Sequence, residues 1–123
     1  MILLDTNALI WLHRHDERAA PLARGSARLY VSPASLLELQ FLWEVGRVRL
    51  KRGSTLKDVV HDDRWVIDDP PSATWFEEAA SVGWTRDPFD RLLVAHARMR
   101  RWPLATSDQR VIAQLRKGEV LEL

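Results

Sequence analysis

Short apolar runs and longer helical stretches alternate along the whole chain. Met1–Asp5 is an apolar run closed by a carboxylate, the pattern of a short strand buried on both faces. An apolar helical stretch follows from about Asn7 to Leu12, and a second short helix is expected over about Arg18–Ala27. Leu29–Val31 reads as a strand. Ser32-Pro33 then opens a helix, with Ser as N-cap and Pro at the first helical position, and Gly46 supplies its stop. Arg47–Lys57 is basic and loop-like, Leu56–His61 makes one or two helical turns, and Trp65–Ile67 is strand-like. Ser72–Ser81 is helical after the breaking pair Pro70-Pro71. Asp87-Pro88 repeats the cap-plus-proline signal and opens the clearest helix, to about Arg101. Leu104–Thr106 is a strand, Asp108–Arg116 a helix, and Glu119–Leu123 a last strand. Strands alternating with helices imply right-handed crossovers and an α/β fold, a central parallel sheet flanked by helices on both faces. Ligands of such sheets bind outside the carboxyl ends of the strands. Asp5, Asp108 and the helix starts at Ser32 and Asp87 are all expected on that edge.

With 123 residues, 46% of them hydrophobic and 28% charged, the chain fits one domain with a genuine core. The absence of cysteine excludes disulfides and thiolate metal sites. Met1-Ile-Leu-Leu-Asp5 has no basic flank and is too short for a signal peptide, and no apolar run approaches the roughly 20 residues of a membrane span. The expected location is the cytoplasm, with no membrane partner. The net charge of +1 conceals a bias of type: with three lysines among 18 basic residues, 15 are arginine. Arginine suits phosphate binding, although a GC-rich genome produces the same bias.

Four carboxylates carry the candidate chemistry: Asp5, Glu38, Asp90 and Asp108. Asp5 reads either as an Asx cap of the next helix or as a ligand. Asp108 can likewise cap the helix that begins at Gln109. Asp87 suits an N-cap, with Asp90 at the third helical position, where it can bond back to the cap. The helix beyond Asp90 is apolar almost all round, so Asp90 would be held rigidly. Glu38 resists a capping account, because Ala34, Ser35, Phe41, Leu42 and Val45 share its helical face. An unpaired carboxylate among small and apolar neighbours is costly, and a metal or buried cation would resolve the conflict. Mg²⁺ and Mn²⁺ choose oxygen ligands, and such ions can neutralise a scissile phosphate and stabilise its leaving oxygen. Thr6, Asn7, Ser35, Thr106 and Ser107 are short polar neighbours suited to orienting ligands or waters.

Four stretches resemble the PIN-domain ribonucleases, specifically the VapC-like toxins of type II toxin–antitoxin pairs. They are Leu3-Leu-Asp-Thr-Asn-Ala-Leu-Ile-Trp-Leu12, Val31-Ser-Pro-Ala-Ser-Leu-Leu-Glu-Leu39, Arg86-Asp-Pro-Phe-Asp-Arg-Leu-Leu-Val-Ala-His-Ala97 and Leu104-Ala-Thr-Ser-Asp108. They stand in the family's order and span nearly the full length. The resemblance implies a Mg²⁺- or Mn²⁺-dependent endoribonuclease acting on RNA, commonly a homodimer and silenced by a cognate antitoxin protein. It transfers Asp5, Glu38, Asp90 and Asp108 as the acidic metal-binding set, with Asp87 as an extra contributor and Thr6, Asn7 and Ser107 as secondary candidates. Gly46–Gly83 carries no recognisable motif of the family, so target choice is not transferred.

Arg47, Arg49, Lys51 and Arg52 form the densest basic stretch and are candidate RNA contacts, with a solvated charged face as the competing reading; Arg91, beside Asp90, is expected to reach either an RNA phosphate or a structural carboxylate. The four histidines show no zinc spacing, and His96 reads as a satisfied core residue. Leu36 and Trp43, opposite Glu38, form a second apolar edge that reads as a subunit or antitoxin contact or as packing under residues 47–64. Two other classes fit parts of the pattern. An aspartyl-phosphate-type phosphatase also starts with an apolar strand ending in Asp, but wants a second Asp where Asn7 stands. A receiver-like domain wants paired early acids and a late lysine. A non-catalytic RNA- or protein-binding module is distinguished from an enzyme only by assay.

Overall fold

Leu3 and Leu4 are both fully buried, yet they point to opposite faces of the sheet and join different core clusters. That arrangement organises the computed structural model, which describes residues 1–123. The strands are β1 (Ile2–Leu4), β2 (Leu29–Val31), β3 (Trp65–Ile67), β4 (Leu104–Thr106) and β5 (Val120–Glu122). They form one sheet in the order β3-β2-β1-β4-β5, and every neighbouring pair is parallel. The register sets Leu3 beside Tyr30 on one side and Leu104 on the other.

Seven α-helices surround the sheet: α1 (Thr6–His13), α2 (Ala20–Arg24), α3 (Pro33–Glu44), α4 (Leu56–Val60), α5 (Ser72–Ala80), α6 (Pro88–Arg100) and α7 (Gln109–Ile112). Leu4 packs with Leu9 and Leu12 of α1, Leu22 of α2, Leu39 of α3 and Val59 of α4 on one face. Leu3 packs with Leu93, Val94 and Ala97 of α6 and Val111 of α7 on the other. A third cluster, Ala34, Trp75, Ala79 and Ala95, ties α3 to α5 and α6 at the margin. The α/β architecture expected from the alternation is thus the one observed. No helix is long and apolar enough to cross a membrane.

Two helices depart from expectation. The stretch from Arg18 begins as a 3-10 turn (Glu17–Ala19), and α2 starts only at Ala20, beside Pro21. Proline lacks the N–H that an interior helical position requires, so it belongs in a first turn. The same helix ends before Gly25, where a side chain would meet the Pro21 carbonyl at 3.1 Å. The last helix closes at Ile112 rather than near Arg116; a turn through Gly118, at φ +91, then leads into β5.

Candidate functional site

The order β3-β2-β1-β4-β5 reverses direction between β1 and β4, and α/β sheets open their binding crevice at such a point. Asp5 leaves the carboxyl end of β1, held by its backbone N–H on the Ala105 carbonyl at 3.1 Å. Asp108 stands two residues beyond the end of β4. Into the same crevice α3 brings Glu38, and the start of α6 brings Asp87 and Asp90. All five carboxylates line one cleft of about 440 Å³, together with Thr6, Asn7, Thr106 and two cations, Arg47 and Arg110.

Capping accounts for some of these carboxylates and not for others. One Asp5 oxygen accepts from the Ala8 N–H at 2.7 Å and caps α1. Asp87 caps α6 by accepting from Phe89 and Asp90 N–H, and Asp108 caps α7 by accepting from Arg110 N–H. The capping role expected of Asp90 is absent. The Asp87 backbone N–H donates instead to the Thr85 hydroxyl at 3.1 Å, and no hydrogen bond of the protein reaches the Asp90 carboxylate. Asp90 is therefore half-buried in the cleft with both oxygens free.

Glu38 is positioned by α1. Thr6 is buried, and its hydroxyl donates to Glu38 Oε1 in a short hydrogen bond. A hydroxyl has one proton, so Thr6, 3.0 Å from the buried Ser35 hydroxyl, accepts from Ser35 in turn. Ser35 thus acts behind Thr6, which acts behind Glu38. Thr106 lines the cleft beside Asp5, and its hydroxyl also accepts from Asp108 N–H at 3.1 Å.

The electrostatics are those of a concentrated acidic site. Burial, reinforced by the charges of Asp87, Asp108 and Glu38, pushes the Asp90 carboxyl up to about 7. Burial also carries Asp5 up to about 6 against the lowering effect of its bonds from Ala8 and Thr106, and Asp108 adds to the rise. Glu38 is raised by burial, Asp87 and Asp5, although Thr6 and Arg47 oppose the shift. Each charge makes its neighbours harder to ionise, so the cleft favours a cation. Every acidic donor here is a carboxylate oxygen, as Mg²⁺ and Mn²⁺ require. No three acidic or histidine side chains are arranged as a cage around one ion. Mg²⁺ usually keeps several waters and takes one or two carboxylates directly, so donors spread across a cleft fit it.

The remaining sequence candidates divide. Arg47 lines the cleft, whereas Arg49, Lys51 and Arg52 lie outside it. Arg91 belongs to the scaffold: its guanidinium donates to the Thr85 carbonyl at 2.8 Å and the Ala80 carbonyl at 3.1 Å, fastening the start of α6 to α5. Those bonds leave it neither in the cleft nor on a carboxylate, in contrast to the expectation for it. Ser107 lies between the cleft residues Thr106 and Asp108 without lining the cleft itself. Arg110 is a cleft cation that no sequence motif marks; its place two residues after a helix-capping Asp is the available signal. Leu36 packs against the core, and the exposed apolar residues of α3 are Leu37, Phe41 and Trp43, with Val45 at its C-cap also exposed. Helix α3 is apolar nearly all round, so periodicity alone could not select its outer face. His96 is only half satisfied: Nε2 meets Asp68 at 2.7 Å, and the buried Nδ1 has no partner.

No curated protein matches the chain significantly. Among solved structures, a toxin–antitoxin complex from Klebsiella pneumoniae aligns over 100% of both chains with a TM-score of 0.72 at 18% identity. FitAB bound to an IR36 DNA fragment aligns over 100% of this chain and 94% of that one (TM-score 0.57, 20% identity). FitAcB from Neisseria gonorrhoeae aligns over 99% and 96% (TM-score 0.55, 23% identity). At these identities the likeness is one of fold. The PIN domain family model matches residues 2–118, nearly the whole chain, and the chain belongs to the PIN-domain family.

Proposed function

We propose that the acidic cleft is the active centre of a metal-dependent endoribonuclease, and that the chain is the VapC-like toxin of a toxin–antitoxin pair. The observation that carries this reading is the convergence of five carboxylates from four separate places in the chain on one cleft at the switch point of the sheet. Asp5, Glu38, Asp90 and Asp108, with Asp87 beside them, would hold Mg²⁺ or Mn²⁺. A bound ion would neutralise phosphate charge and stabilise the leaving oxygen. The protein's own groups do the rest. Arg47 and Arg110 offer guanidinium contacts to RNA phosphates from the cleft walls. Thr6 fixes Glu38 in orientation, with Ser35 behind it. Asp90 receives no hydrogen bond from the protein, so one of its oxygens would be available to take a proton from the attacking water as the water oxygen joins phosphorus and the P–O bond to the leaving nucleotide breaks.

The Klebsiella pneumoniae fold neighbour is described as a toxin–antitoxin complex, which supports a cognate antitoxin as partner. The exposed apolar residues Leu37, Trp43 and Val45, outside the cleft, offer surface for such a partner or for a second copy in a homodimer. We place the activity in the cytoplasm. The test is direct: protein purified free of any partner should cut RNA with Mg²⁺ or Mn²⁺, and both EDTA and Asp5→Ala should abolish cutting. Wild-type cleavage that survives EDTA would eliminate the metal mechanism. RNA binding without cleavage would favour a binding module, and hydrolysis of phosphomonoesters instead of RNA would favour a phosphatase.

A further inference from the structure

Two phenylalanines stand among the charged residues of the cleft, Phe41 from α3 and Phe89 from the first turn of α6. Neither belongs to any of the buried clusters that hold the sheet and helices together. Phe41 is 45% exposed, so core packing does not explain it. The two rings are inclined by only 29°, with centres 6.4 Å apart. A closed stack elsewhere in this protein, Tyr30 on Trp102, has its centres at 4.3 Å. Three stacked planar rings need about 7 Å between the outer two, twice an ordinary carbon–carbon contact. The centres of Phe41 and Phe89 are within about 1 Å of that spacing.

The surroundings define what that ring would be attached to. Arg47 and Arg110 line the same cleft; Arg110 is 85% exposed and only loosely tied to Asp108, at 3.5 Å. Aromatic faces for bases and guanidinium groups for phosphates are the two components of single-strand recognition. A paired base in a helix has both faces covered by its neighbours and cannot enter such a gap, whereas an unpaired base can be turned out. We infer that Phe41 and Phe89 form a clamp that stacks on one unpaired RNA base and sets the adjoining phosphate against the carboxylates. The clamp selects unpaired segments of RNA. The inference rests on the ribonuclease reading above and adds the groups that position its substrate.

The experiment uses one RNA oligonucleotide with 2-aminopurine at a single position, presented unpaired or within a duplex, and the variants Phe41→Ala, Phe89→Ala and Phe41→Trp. Wild type should cut the unpaired form preferentially and quench its fluorescence. Each alanine variant should lower kcat/KM by about five- to a hundredfold, the range given by loss of one base stack. Each should also lose the quenching, and Phe41→Trp should restore both. Phe41 is exposed, so its variants should remain folded, and circular dichroism checks this for both positions. Unchanged kcat/KM and quenching in both alanine variants, with wild type active, would remove the clamp and leave the nuclease standing. Phenylalanine-dependent quenching without any cleavage would keep the clamp and remove the reaction. Neither binding nor cleavage by wild type would overturn both. Variants that alter only oligomeric state or antitoxin binding would assign the pair to a protein interface and overturn the clamp.

Discussion

Asp90 concentrates the electrostatic conflict of the cleft: it is half-buried, faces four other carboxylates and receives no hydrogen bond. Its carboxyl lies at about 7 in the folded protein, above the ordinary value of 3.8. A carboxyl raised on folding contributes stability only while protonated. That contribution is complete below the unfolded value and is lost as pH rises through about 7. Asp90→Asn removes the penalty, so it should raise Tm at pH 8 and change little at pH 4. The gain is about 1–2 kcal/mol, or several °C, because the open cleft gives water some access to the charge. Thermal melts at the two pH values check it; equal effects at both would refute the electrostatic account. The same reasoning applies to metal uptake. Asp5 and Asp90 must shed protons to bind a cation, so apparent Mg²⁺ or Mn²⁺ affinity should rise between about pH 6 and 7. Calorimetry in buffers of different ionisation enthalpy would measure the released protons. Thr6→Val should weaken catalysis more than folding, since it leaves Glu38 without its donor, whereas Thr6→Ser should keep both.

The element scale explains why the acidic groups were readable and the arginines were not. Apolar runs ending in Asp5 and near Asp108 announced strand ends, and Asp87-Pro88 announced a helix start, because caps and prolines obey local rules. Glu38 stood out through its neighbours on α3, although Phe41 and Val45 of that face proved to be exposed. Arg91 directly follows Asp90 and Arg110 stands two residues after Asp108, and neither spacing says where the guanidinium turns. One turns to carbonyls at the end of α5 and the other into the cleft, and only the packing of α5 on α6 decides between them. The same packing gives residues 46–83 a structural role that no motif signalled. Asp68, just past β3, meets His96 Nε2 and Arg100 Nε of α6, each at 2.7 Å. Burial works to raise the Asp68 carboxyl, but Arg100 and His96 outweigh it and hold the carboxyl low. Asp68→Ala should therefore cost roughly 1–3 kcal/mol, leaving a buried imidazole and a guanidinium without their acceptor. Urea unfolding would report the loss, and an unchanged midpoint would deny the latch.

At the scale of the molecule, five short strands in the order β3-β2-β1-β4-β5 bring residues from the two ends of the chain to one crevice. Alternation of strands and helices indicated the parallel sheet, because buried parallel strands must be apolar throughout. Strand order and cleft shape depend on which strands become neighbours, which is tertiary information. Leu4 sits at the centre of that arrangement, and Leu4→Ala should destabilise by about 2–5 kcal/mol. The central claim is that the crevice hydrolyses RNA through its carboxylates and a divalent ion. Its most direct test is Mn²⁺-dependent cleavage of a labelled RNA by wild type and by folded Asp90→Asn, side by side at pH 8. The account predicts cutting by wild type that EDTA stops, and at least about 100-fold slower cutting by a variant that melts at a higher temperature. Wild-type rates from Asp90→Asn, or wild-type cutting undiminished by EDTA, would contradict it.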